Sequence, residues 1–221
     1  MGIVLVKYEI IGSSSKGNCI VVEDILMLDC GVSYTKIKPY LKKVKLIFIS
    51  HGHKDHLLPS TIKKIAYNKP TMKFLTGSVD VIELLKEYGV NGKNIYYIAH
   101  QKWYDLGLMK ARLELLNHDV WNYALRWEYN GKLGIYIVDT ASVENIKAKN
   151  YDLYLIEANY KEEILQKHIK ECTQEELVYL QRVPYTHLSY EKANTFLIEN
   201  MGANSEFQYI HESTYNFEGD E

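Results

Sequence analysis

The sequence predicts an α/β sandwich with helices on its outer faces. Three observations support this. The first 50 residues read as short, β-branched strands, and strand and helix patterns then alternate to the end. No Pro/Gly/Ser linker, repeat or low-complexity tract divides the 221 residues, so one domain over 1–221 is expected. A chain of this length buries about 70% of its unfolded surface and needs no staples.

The elements follow in order. "IVLVKYEII", "CIVVED" and "ILMLDCG" are apolar runs bounded by turn residues, each of strand length. "SYTKIKPYLKKVK" spaces Ile37, Leu41 and Val44 at i, i+4 and i+7, which predicts a helix with its lysines in solvent. "KLIFIS" is a continuous apolar strand. "SVDVIELLKEYG" reads as a helix that stops at Gly89. "RLELLNHD" and "YALRWEYNGKLGIYIVDT" read as strands, with Asn130-Gly131 closing a hairpin. "YDLYLIEANY" is a strand followed by a loop, and a helix is expected over 161–171. Thr173 and Glu176 fit a capping box for the next helix. Ser189 is the expected N-cap of "SYEKANTFLIENMG", and "FQYIHES" is a last strand.

Composition narrows the function. Hydrophobic residues are 47% and charged residues 24%, an ordinary globular balance. The net charge is −2 and only three arginines occur (Arg112, Arg126, Arg182). Nucleic-acid binders are usually basic and rich in arginine clamps, so a polymer partner has little support. Cys19, Cys30 and Cys172 form no CxxC pair and are odd in number, which predicts buried thiols in a reducing compartment. Lys7 and Glu9 break the first apolar run, Val6 breaks a myristoylation pattern, and no later run suits a membrane. A cytoplasmic protein with no membrane partner is expected.

"HGHKDH", residues 51–56, is the densest cluster of metal-ligand types. His51 and His53 lie two apart at a strand end, so their side chains point the same way if the backbone stays extended. Asp55 and His56 follow as the chain bends, within reach of a second metal. Imidazole with carboxylate suits zinc or a similar transition metal. His118, Asp139 and His211 each follow an apolar strand. Any one of them alone is ordinary surface chemistry. Together with "HGHKDH" they predict a dinuclear site. His100 and His168 fit no such pattern.

"LDCG", "HGHKDH", "NHD", "VDT" and the late "IHES" resemble the five ordered motifs of the metallo-β-lactamase fold. "GSSSKGNC" (12–19), "IEAN" (156–159) and "THLSYEKA" (186–193) are similar to the subgroup of ribonuclease Z, WalJ-type exonucleases and small phosphodiesterases. The resemblance spans residues 12 to about 215. The short form also resembles phage phosphodiesterases of the anti-Pycsar type, which destroy cyclic-nucleotide signals. The fold implied is an αβ/βα sandwich of two mixed sheets with helices on the outer faces.

The resemblance implies two zinc ions per chain, with manganese as the alternative. His51, His53 and His118 would hold one, and Asp55, His56 and His211 the other, with Asp139 between them. Asp29 would orient the histidine loop. His187 would serve as the acid at the leaving group, oriented by Glu157, and Asp55 also belongs to the catalytic set. Ser14 is the expected substrate contact. Ile156 stands where the subgroup has a histidine, and "HESTY" departs from its usual ending. The implied activity is phosphodiester hydrolysis in a small nucleotide, most of all a 3′,5′-cyclic mononucleotide. A nuclease on RNA or DNA, a thioesterase or lactonase, and a non-enzymatic sensor are the alternatives. A homodimer is implied as well.

Overall fold

The computed structural model describes residues 5–213. Residues 3 and 4 of the first predicted strand, and Thr214 and Tyr215 of "HESTY", lie outside that range.

Two six-stranded sheets stack face to face. The first holds β1 (Tyr8–Gly12), β2 (Cys19–Val22), β3 (Leu26–Leu28), β4 (Leu46–Phe48), β5 (Lys73–Thr76) and β6 (Ile95–Tyr97), in chain order across the sheet. The second holds β7 (Tyr104–Asp105), β8 (Lys110–Leu116), β9 (Asn122–Tyr129), β10 (Lys132–Ile137), β11 (Leu153–Glu157) and β12 (Glu206–Ile210), again in chain order. Both are mixed. β1–β2–β3 pair antiparallel and β3 to β6 parallel. β7 to β10 pair antiparallel, then β10–β11–β12 parallel.

Strand alternation sets the layers. In β2, Ile20 and Val22 face the second sheet and meet Leu125, Trp127 and Leu155 in the central core. Cys19 and Val21 face outward, among Ile37, Ile62 and Leu85 of the first helical layer. In the second sheet Ile135, Ile137 and Ile156 face outward onto Phe196 and Leu197. Strands covered on both faces must read as continuous apolar runs, which is how "CIVV", "LIF" and "LYLIE" read.

The helices are α1 (Tyr34–Ile37), α2 (Pro59–Asn68), α3 (Val79–Glu87), α4 (Glu162–Glu171), α5 (Gln174–Thr186) and α6 (Tyr190–Asn200). Ser78 caps α3, Ser189 caps α6, and Thr173 with Glu176 closes the capping box of α5. Asn130 and Gly131 turn the β9–β10 hairpin with φ of 51° and 74°, as a type I′ turn needs.

Two expectations change. The helix predicted over 34–44 is only α1 followed by a 3₁₀ turn at Tyr40–Lys42. Pro39 lies between them and cannot donate the hydrogen bond a continuous helix needs. Ile37, Leu41 and Val44 are buried all the same, because the turn keeps them on one side. The first strand begins at Tyr8, and Leu5 and Val6 before it lie outside the sheet. Among the described residues, no helix is long and apolar enough to cross a membrane.

Candidate metal centre

Every expected ligand comes to one edge of the sandwich. His51 follows β4, His118 follows β8, Asp139 follows β10 and His211 follows β12. Three residues at this edge turn the chain in the left-handed region: Asp29 (φ 57°), Asp139 (φ 50°) and His211 (φ 54°). Asp139 and His211 line the cleft, while Asp29 is buried behind the histidine loop.

Two groups of donors form, and they share one residue. His51, His53, His118 and Asp139 converge in the first, and Asp55, His56, Asp139 and His211 in the second. In the first, His51 Nε2 is 3.1 Å from His53 Nδ1, and His118 Nε2 is 3.4 Å from that same atom. His51 Nε2 is also 3.4 Å from Asp139 Oδ2. In the second, His56 Nε2 lies 3.3 Å from Asp55 Oδ2 and 3.1 Å from Asp139 Oδ2. His211 Nε2 lies 3.2 Å from Asp139 Oδ1.

The opposite ring nitrogens decide what these atoms can do. His51 Nδ1 is 3.0 Å from Ser50 Oγ, and His56 Nδ1 is 2.6 Å from Asp29 Oδ2. His118 Nδ1 is 3.1 Å from the Thr186 carbonyl, and His211 Nδ1 is 3.0 Å from Asn18 Oδ1. All four neighbours can accept, so each Nδ1–H can donate outward, which leaves each Nε2 facing inward to act as a metal donor when unprotonated. Lone pairs and carboxylate oxygens this close repel unless a cation lies among them. The donor set of neutral imidazole and carboxylate, oriented by outer hydrogen bonds, therefore fits transition metals.

Electrostatics agree. Burial, then the neighbouring charge of His56, pushes His51 down to about 4, and burial also lowers His118, so both rings are neutral at pH 7, the form a metal would bind. Burial opposes charge on Asp139, but His211 and His56 outweigh it and hold the carboxyl well below its ordinary range. Burial likewise opposes charge on His56, yet Asp139 and Asp29 raise it well above its ordinary value. The field of these buried carboxylates favours positive charge.

Asp29 anchors the histidine loop as expected. It accepts from Ser50 N at 2.8 Å, Ser50 Oγ at 2.9 Å, His56 Nδ1 at 2.6 Å and the Tyr136 hydroxyl at 2.7 Å. Glu157, the last residue of β11, is fully buried and accepts His187 Nδ1–H at 2.6 Å. His187 Nδ1 is also 3.5 Å from Asp139 Oδ1. Asp139, Glu157, His187 and His211 form a third close group. His187 and Glu157 are already paired to each other there.

Three contributors carry no local sequence signal. Asn18 holds His211 through Oδ1, and its Nδ2 lies 3.0 Å from His56 Nε2 and 3.4 Å from Asp55 Oδ2. Ser50 and Tyr136 complete the shell of Asp29. In the "GSSSKGN" loop, Ser15 lines the cleft, while Ser14 Oγ accepts from Lys16 N within the turn. Ser13 Oγ accepts from His211 N, which ties this loop to the metal edge. His100 and His168 stand outside the groups, as expected.

The cleft over the ligands has a volume of about 280 Å³. A larger groove of about 490 Å³ lies where β4 and β5 begin, lined by Leu46, Met72, Lys73 and Tyr96. It is at the far ends of the strands from His51 and contains none of the ligands. Volume alone would misplace the chemistry.

No family model matches the sequence, and no curated protein does. Solved structures do match. The metallo-β-lactamase fold protein YhfI from Bacillus subtilis is 19% identical, over 95% of this chain and 87% of that one, with a TM-score of 0.70. The short form of human tRNase Z is 16% identical, over 94% and 93%, with a TM-score of 0.66. Zn²⁺-bound PqqB from Methylobacterium extorquens is 13% identical, over 95% and 90%, with a TM-score of 0.64. At such identities the likeness is one of fold, and this chain has the metallo-β-lactamase fold.

Proposed function

We propose that the protein is a metal-dependent phosphodiesterase that opens a 3′,5′-cyclic mononucleotide to its linear monophosphate. The observation that carries this reading is the pair of ligand groups sharing Asp139 beside His187 and Glu157. Two zinc ions held there would supply Lewis acidity and a nucleophilic water for an in-line displacement.

The protein's own groups do the rest. Asp139 sets the shared charge between the two ligand groups. Glu157 fixes the His187 ring through Nδ1, leaving Nε2 as the atom that can give a proton to a departing alkoxide. Burial disfavours charge on His187, but Glu157 and then Asp139 outweigh it and raise its pKa to about 10. The ring therefore carries its proton at pH 7. Asn18, Ser50, Asp29 and the Thr186 carbonyl hold the ligands rigidly, so little reorganisation accompanies reaction.

The preference for a small substrate rests on size and charge. The cleft of about 280 Å³ is on the scale of a small ligand. Polymer binding draws on many Lys and Arg contacts along phosphates. Here Arg112 and Arg126 are both spent on Glu114, at 2.8 Å and 2.7 Å.

The test compares kcat/KM for 3′,5′-cyclic mononucleotides, a tRNA precursor and single-stranded DNA, with metal-stripped protein as control. Cyclic nucleotides should be cleaved preferentially and only with metal. Cleavage of a polymer with cyclic nucleotides left intact would replace this reading by a nuclease.

A further inference from the structure

We infer that α5 forms the base-recognition wall of the cleft, with Tyr179 stacking the nucleobase and Arg182 reading its edge, and that guanine is preferred over adenine. The inference rests on the nucleotide reading above.

α5 presents one face to the cleft. Tyr179, Arg182, Val183 and Thr186 all line it, at i, i+3, i+4 and i+7. The helix is held in register at both faces. Its Thr186 carbonyl accepts from the ligand His118 at 3.1 Å. Leu180 and Val183 pack with Tyr160 and Leu165 in a small core of their own. The residues on the cleft side are therefore fixed relative to the metal edge.

Arg182 is distinct in this setting. The other two arginines are bound to Glu114 on the second sheet. Among the described cleft-lining residues there is no lysine, so Arg182 is the one side chain there with a permanent positive charge. Its side chain is 67% exposed, and its nearest carboxylate, Asp119 Oδ2, is 3.6 Å away, beyond hydrogen-bond range. Asp119 Oδ1 in turn lies 3.2 Å from His118 Nε2. Arg182 is thus steered toward the ligand shell with most of its donors available.

A cyclic mononucleotide has one phosphate, and the metal groups around Asp139 claim it. What remains for α5 is the nucleoside. A partly exposed tyrosine ring suits stacking on any base. The guanidinium is a donor-only fork. Guanine offers it two adjacent acceptors, O6 and N7. Adenine sets an amino donor beside N7, so one prong meets a donor. Asp119 beside Arg182 offsets part of its charge, which favours a neutral base edge over a second phosphate.

The experiment measures kcat/KM on cyclic GMP and cyclic AMP for the metal-loaded protein and for Arg182→Ala, Arg182→Lys, Tyr179→Ala and Tyr179→Phe. Calorimetry of GMP and AMP binding accompanies it. The ratio of the two nucleotides is the readout, because a general loss of fold or metal scales both alike. The wild type should favour cyclic GMP by about 10–100-fold, the range of one bidentate contact. Arg182→Ala should bring the ratio near one, and Arg182→Lys should recover little, since an ammonium cannot fork. Tyr179→Ala should raise KM for both nucleotides, and Tyr179→Phe should not. A ratio of one in the wild type, or a preference that survives Arg182→Ala, overturns the inference and leaves the nucleotide reading standing. Turnover of bis-(4-nitrophenyl) phosphate with neither cyclic nucleotide cleaved, and neither monophosphate bound, overturns both.

Discussion

Glu157 Oε1 lies 2.6 Å from His187 Nδ1, and Glu157 Oε2 accepts from the backbone N–H groups of Thr140 at 3.0 Å and Leu188 at 3.2 Å. One buried carboxylate thus fixes the ring to the turn after β10 that carries Asp139. On the function proposed above, His187 serves as an acid and not as a ligand. His187→Ala should keep its metals yet slow turnover by about 10²–10⁴-fold. A substrate with a nitrophenolate leaving group needs little protonation and should lose much less. Equal losses on both substrates would remove His187 from that role.

The same pair gives a pH dependence in metal-free protein. The folded pKa of His187, about 10, stands above its ordinary 6.5. Folding then binds a proton that the unfolded chain releases. The stabilisation is fully present below about pH 6.5 and is lost as pH rises through about 10. Urea unfolding of wild type and His187→Ala should differ more at pH 6 than at pH 10. A gap that widens with pH would contradict the sign.

Four histidines with inward Nε2 atoms predict tight metal uptake. Purified protein should carry close to two transition-metal equivalents per chain. Chelation should lower Tm, and added zinc should restore it, because only the folded state presents the site. His53→Ala should reduce metal content and abolish activity. Elemental analysis showing no metal, with no uptake on reconstitution, would sink the assignment.

Gly31 packs directly beneath the histidine loop. A Cβ there would sit 1.6 Å from the Asp55 carbonyl oxygen. That contact is backbone, so no side chain can rotate away. Gly31→Ala should destabilise the fold by at least about 1–3 kcal/mol, the usual range for overpacking. It should also weaken metal binding, since the loop carrying Asp55 and His56 must move. Wild-type melting with full metal content would refute this.

The thiols should differ sharply in reactivity. Cys19 and Cys30 are fully buried, and burial pushes both thiols up from their ordinary value. Cys172 is partly exposed. In the native protein a thiol reagent should modify one cysteine readily, and all three after denaturation. Mass spectrometry of the labelled protein would locate the reactive one.

The strands and the residues that gather at the sheet edge were legible because their signals are local. "HGHKDH" concentrates four donors in six residues, and His118, Asp139 and His211 each end an apolar run. The supports were not legible, because they act across the chain. Asn18 reaches His211 over 193 positions, and Tyr136 reaches Asp29 over 107. A lone asparagine in a Gly/Ser loop and a tyrosine inside a strand look ordinary until the sheets stack. The helix over 34–44 failed for the opposite reason. Its apolar spacing is real, but Pro39 acts on the backbone, which periodicity does not register.

Asp29, Asp139 and His211 occupy backbone bends that most side chains resist. Asp, Asn and His are the non-glycine residues that tolerate this conformation best. The types that suit the bend are nearly the types that suit the metals. Drift toward alanine or valine at these positions is therefore opposed twice, by chemistry and by conformation. Asparagine is the exception, since it keeps the bend and discards the charge. On the metal reading proposed above, Asp139→Asn would keep the bend and fold while removing the charge shared by the two ligand groups.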